Sequence, residues 1–227
     1  MSDPLRLAIF DVDGTLVDSQ GAIVAAMTVA FDDLGLPVPA RGDILSTVGL
    51  SLDRTIARLA PAQPPASQAR LVDGYKQAYR AHRIAHGAAA ESPLYPGAAE
   101  MLGQLAARTD LVLGIATGKS QRGLAALLEA HDLERVFVTR QNADFHPSKP
   151  HPSMILAAMA EVGADRGDVI MIGDTSFDME MARAARIPAI GVSWGYHGVQ
   201  QLQLADRIVH GFDEIPGAMD QIWNTTT

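Results

Sequence analysis

Leu5-Arg6-Leu7-Ala8-Ile9-Phe10-Asp11-Val12-Asp13-Gly14-Thr15 is an apolar run that stops abruptly at two carboxylates and a glycine. So short a run reads as a buried strand, and Asp13-Gly14 turns the chain at its end. Leu111 to Ala116 (LVLGIA) and Val169 to Gly173 (VIMIG) repeat the pattern, each followed at once by small polar residues. Val136 to Val138, Ala189 to Ser193 and Arg207 to His210 read as further short strands. Between them, apolar residues fall at helical spacing, as in Met101, Leu102 and Leu105, or Ile155, Met159 and Val162.

Strands alternating with helices predict an α/β fold, a Rossmann-like parallel sheet covered on both faces. Ligands of such sheets collect beyond the carboxyl ends of the strands, where Asp11, Thr117 and Asp174 fall. The alternation lapses from about Asp18 to Glu91. There Ile23, Met27, Ala30 and Leu34 share a helix face, Ser51 is placed to cap a helix through Leu59, and a polar helix runs from about Ser67 to His86. The predicted organisation is a catalytic core of residues 1–17 and 92–227 with an all-helical cap, 18–91, inserted through crossings near Val17 and Pro93.

Composition narrows the function classes. With 48% hydrophobic and 19% charged residues, the chain has the material for a packed core. A net charge of −8 lacks the basic footprint of a nucleic-acid binder and is repelled by anionic lipid. The absence of cysteine excludes disulfides, thiolate metal sites and thiol nucleophiles. No apolar run is long enough to span a membrane, and MSDPLRL lacks a signal-peptide core, so a cytoplasmic protein is expected.

Four motifs could carry chemistry, and each has a structural alternative. Asp11 and Asp13 repel each other on one strand-end face unless a hard cation relieves them; an Asp/Gly-rich turn is the alternative. The spacing does not fit a calcium-binding EF-hand loop. Gly114-x-x-x-Gly118-Lys119-Ser120 is one residue short of a P-loop. Thr117 can still offer a hydroxyl to an anion, or the stretch only caps the next helix. Lys149, fenced by Pro150 and Pro152, is either a fixed cation or a solvated one. Asp174 and Asp178 share one face at i, i+4, or are helix-start acids favoured by the dipole.

The order and placement of DVDGTLVDS, TGKS, SKPHP and GDTSFDMEMARAA resemble the haloacid dehalogenase-like hydrolase superfamily, and within it the phosphoglycolate phosphatase-like branch with a helical cap. The resemblance covers essentially the whole chain. It implies that Asp11 is the nucleophile, forming an aspartyl-phosphate, and that Asp13 protonates the leaving oxygen and then activates water. An acid at Asp13 argues for a phosphatase over a dehalogenase. Thr117 is implied to bind the phosphoryl group and Lys149 to neutralise charge. Mg²⁺ is implied to be held by Asp11, the Asp13 carbonyl and Asp174, with Asp178 nearby. The implied partner is a small phosphorylated metabolite such as 2-phosphoglycolate; a sugar-phosphate phosphatase, a β-phosphoglucomutase-like isomerase and a pyrophosphatase are rivals. A non-catalytic binding protein is disfavoured by the intact acid set.

Gly118 stands where the branch often has Asn, and His146 is unexpected before the third motif. Both bear on substrate choice, as do cap residues such as Arg54, Tyr75, Tyr79 and His82, whose alternative is a solvated helix face. The loop Trp194-Gly195-Tyr196-His197-Gly198 either closes over the site or is only a connection.

Overall fold

The computed structural model describes residues 5–226. Residues 1–4, on which part of the signal-peptide reading rests, and Thr227 lie outside the described residues. The elements run β1 (Arg6–Phe10), α1 (Gln20–Asp32), α2 (Arg41–Leu45), α3 (Leu52–Leu59), α4 (Pro65–His86), α5 (Ala88–Glu91), α6 (Ala98–Ala106) and β2 (Leu111–Thr117). They continue α7 (Gln121–Ala130), β3 (Phe137–Asn142), α8 (Ser153–Val162), β4 (Val169–Gly173), α9 (Ser176–Ala185), β5 (Ala189–Val192), β6 (Arg207–Val209) and α10 (Ile215–Thr226). The six strands form one parallel sheet in the order β3-β2-β1-β4-β5-β6.

Strand β1 sits centrally, and its alternation feeds two cores. Ala8 and Phe10 pack in a cluster with residues of α6, α7 and α10, and Leu7 and Ile9 in one with residues of α8 and α9. Burial on both faces explains why β1, β2 and β4 read as nearly unbroken apolar runs. The edge strand β3 is different. It was expected at Val136 to Val138 but runs Phe137–Asn142, with Val138 and Arg140 exposed and Thr139 and Gln141 turned inward. Gln141 Nε2 donates to Thr139 Oγ1 at 2.8 Å, so the inward polar groups satisfy each other. That polar lining hid the strand.

Helices α1 to α4 have a core of their own, in which Ile23, Met27, Phe31, Ile44, Ile56 and Leu71 are buried together. The chain enters and leaves this cap side by side. The Asp18 N–H donates to the Pro93 carbonyl (2.9 Å), the Tyr95 N–H donates to the Leu16 carbonyl (3.0 Å), and Val17 pairs antiparallel with Leu94. Among the described residues, no helix is long and apolar enough to cross a membrane.

Candidate active site

The sheet delivers acids from adjacent strand ends. Asp11 follows β1, and its N–H donates to the Ile172 carbonyl of β4 at 2.9 Å. Asp174 follows β4, and Asp178 lies in the first turn of α9. Asp11, Asp174 and Asp178 are buried, and one carboxylate oxygen of each lies within 4.8 Å of the others. Thr175 forms a capping box with Asp178, whose Oδ2 accepts from the Thr175 N–H (3.0 Å) and Oγ1 (2.7 Å). Asp178 is thus a helix-start acid, and its other oxygen is left to face the site.

Lys149 brings the cation. Its Nζ lies 2.6 Å from Asp178 Oδ1 and 3.0 Å from Asp11 Oδ1, fully buried. Burial pulls the ammonium down, but Asp11 and Asp178 more than offset this and hold it above the ordinary lysine range. Burial pushes the Asp11 carboxyl up, Lys149 draws it down and Asp178 raises it again, leaving it at about 7. Asp174 is pushed well above the usual carboxylate range by burial and by the charges of Asp178 and Asp11. Bonds to Asp174 from the Tyr196 N–H (2.8 Å) and Thr15 Oγ1 (2.9 Å) act the other way.

Asp13 is held apart from this cluster. Its Oδ1 accepts from Ser19 Oγ (2.6 Å) and Lys119 Nζ (2.7 Å), and its Oδ2 from the same Nζ (3.0 Å). Thr117, at the end of β2, is buried, and its Oγ1 accepts the Lys119 N–H at 3.2 Å, leaving the hydroxyl hydrogen to donate.

A match to the family described as haloacid dehalogenase-like hydrolase spans residues 8–192. The chain belongs to this family. It is 38% identical over 216 residues to a probable phosphatase, IndB, of Dickeya dadantii, covering 93% of this chain and 92% of that one. It is 30% identical over 226 residues to phosphoglycolate phosphatase of Escherichia coli K12, covering 89% and 87%. A solved hydrolase from Pseudomonas syringae superposes with a TM-score of 0.82 at 27% identity, over 96% of this chain and 99% of that one.

In this member of the haloacid dehalogenase-like hydrolases, the acid cluster fits a hard divalent cation. Among the described residues, Asp11, Asp174 and Asp178 share one cation, Lys149, while Lys119 is paired with Asp13. Both Asp11 oxygens are buried; Oδ1 faces the Lys149 ammonium at 3.0 Å, and apart from that cation neither oxygen is taken up by a hydrogen-bond donor among the described residues. Buried carboxylate oxygens without donors are what an oxygen-preferring cation takes up.

Besides Ser19 and Tyr79, the cap brings one edge, residues 46–51, to the site. The Ser51 N–H donates to Ser148 Oγ at 2.8 Å, beside Lys149, and Ser51 begins α3 without making a side-chain cap bond. A Cβ on Gly118 would stand 2.6 Å from the carbonyl oxygens of both Gly49 and Leu50, so only glycine lets the cap come this close. Arg54, in the first turn of α3, is exposed and makes no hydrogen bond or ion pair among the described residues. His146 Nδ1 bonds Ser153 Oγ and its Nε2 bonds Gln141 Oε1, both at 2.8 Å, which braces the loop that carries Lys149.

Sequence reasoning missed Ser19 and Lys119 as site residues, and named Tyr196 only as part of the loop 194–198. Lys119 figured only in the failed P-loop comparison, yet it pairs with Asp13 and lies 5.3 Å from the Tyr79 ring centroid. Tyr196 Oη accepts the Ser19 N–H at 3.0 Å. A lysine two residues past a strand-end Thr was the available signal for Lys119; nothing local marked Ser19.

Proposed function

We propose that this chain is a magnesium-dependent phosphatase that hydrolyses a small phosphate monoester through an aspartyl-phosphate, with 2-phosphoglycolate the first substrate to test. One observation carries the reading: Asp11 is a buried carboxylate that meets no donor but the Lys149 ammonium, 3.0 Å from its Oδ1, and it is clustered with Asp174 and Asp178. The printed names of the phosphatase relatives support the same class.

In this mechanism an Asp11 oxygen attacks phosphorus as the bond to the alcohol oxygen breaks, and that oxygen takes a proton from Asp13. Water then attacks phosphorus and gives a proton to Asp13, the Asp11 O–P bond breaks, and Asp11 is restored as the carboxylate with inorganic phosphate released. Ser19 and Lys119 aim the Asp13 carboxyl. Thr117 donates to a phosphoryl oxygen, and Lys149 offsets charge on Asp11 and the phosphoryl group. Asp11, Asp174 and the Asp13 carbonyl would hold the magnesium ion, with Asp178 close by; when bound it supplies positive charge for a dianionic ester. The cap, residues 18–91, opens about the paired crossings to admit substrate and closes to exclude water.

The test is phosphate release from an aryl phosphate, 2-phosphoglycolate and a panel of sugar phosphates, with Mg²⁺ or with chelator. Wild type should turn over only with metal, and Asp11→Asn should lose on the order of a thousandfold or more while staying folded. Full turnover in chelator, or near-wild-type turnover by Asp11→Asn, refutes the proposal.

A further inference from the structure

The loop after β5 bridges the core and the cap. Gly195 lies against the Asp174 side chain so closely that a Cβ there would collide with it. The Tyr196 N–H bonds Asp174 Oδ2, and the next residue, His197, is buried to 4% exposure. His197 Nδ1 takes the N–H of Ser176, the first residue of α9, at 3.1 Å. Its Nε2 meets the carbonyl of Ser46, the C-cap of α2, at 3.1 Å. The ring stands edge-on to Phe177, with centroids 5.3 Å apart.

Helix ends leave amides and carbonyls without intrahelical partners. His197 joins one such amide, in the core, to one such carbonyl, in the cap. An amide only donates and a carbonyl only accepts, so both bonds require Nδ1 to be the acceptor and Nε2 the donor. Ser46 opens the cap edge that continues through Gly49 over Gly118 and through Ser51 to Ser148. The contact therefore lies where closure must be held, next to the residue that supports Asp174.

We propose that His197 is a positioning residue, a latch that holds the cap edge 46–51 down on the core through the Ser46 carbonyl. It rests on the proposed function only in that the cap opens and closes.

Two variants separate the halves of the latch. His197→Asn keeps a short acceptor for Ser176 but does not reach Ser46. His197→Gln extends an amide N–H toward Ser46 and gives up the Ser176 bond. The primary readout is amide hydrogen exchange of residues 46–51 in the protein without substrate, with β1 and β4 as the internal standard for folding. It requires no activity, so it stands even if the phosphatase reading fails. Loss of one neutral hydrogen bond corresponds to about 2- to 10-fold faster exchange at the cap edge in His197→Asn, with the sheet unchanged. In active protein, kcat/KM should fall by a similar factor for every ester tested, and His197→Gln should stay near wild type in both readouts. Unchanged exchange at 46–51 in His197→Asn overturns the latch, as does equal loosening in the two variants. If His197→Asn loosens the sheet as well, His197 is a core packing residue and the proposal is wrong.

Discussion

Raising the pH in the absence of metal should weaken this fold through Asp11. An unfolded aspartate titrates near 3.8, whereas burial holds Asp11 at about 7 in the folded chain. Between those values the folded state keeps a proton that the unfolded state releases. Stability from this group is therefore fully present below the unfolded value and is lost as the pH rises through about 7. A shift of this size corresponds to roughly 4 kcal/mol as an upper figure. For a domain of this length that is on the order of 10 °C in melting temperature. Asp174 is raised as well, by burial and then by Asp178 and Asp11, so it acts in the same direction. The assay is thermal unfolding in chelator at about pH 4 and about pH 8, comparing wild type with Asp11→Asn so that remote carboxylates cancel. The variant should gain on wild type at the higher pH, and Mg²⁺ should close most of the gap by giving the carboxylates a counter-charge. If wild type and Asp11→Asn lose equal stability between the two pH values, the account of Asp11 is wrong.

Lys149→Met leaves Asp11 and Asp178 without their buried partner, which should cost about 3–5 kcal/mol in chemical unfolding and abolish turnover of every ester. Lys119→Met removes the cation 2.7 Å from Asp13; turnover should fall about a hundredfold while Mg²⁺ affinity, read by calorimetry, stays near wild type. Gly118→Ala places a methyl 2.6 Å from the Gly49 and Leu50 carbonyl oxygens. It should lower kcat/KM and speed hydrogen exchange at 46–51, at a cost of about 1–3 kcal/mol if the cap edge strains to stay down. Unchanged exchange in that variant argues that the cap edge does not rest on Gly118.

The parts of the fold legible in the sequence are those where burial leaves one solution. β1, β2 and β4 are covered on both faces, so they read as nearly unbroken apolar runs that give way to polar residues at their carboxyl ends. Those ends place Asp11, Thr117 and Asp174 on one edge of the sheet. β3 broke the rule because an edge strand can line its inner face with Thr139 and Gln141 when they bond each other. The same logic separates the acids from their supports. Asp174 and Asp178 are four residues apart, and the single turn from the end of β4 into α9 brings them together. Asp13 and Lys119 meet across 106 residues of sequence, and Tyr196 and Ser19 across 177. No periodicity encodes such pairs, because they depend on how β1, β2 and β5 sit in the sheet and how the cap closes over them. Gly118 shows how the two kinds of information join. In the sequence it is only a residue that departs from the usual Asn. In the structure it marks where two cap carbonyls press on the core, so the departure records the fit of two domains more directly than the identity of a substrate.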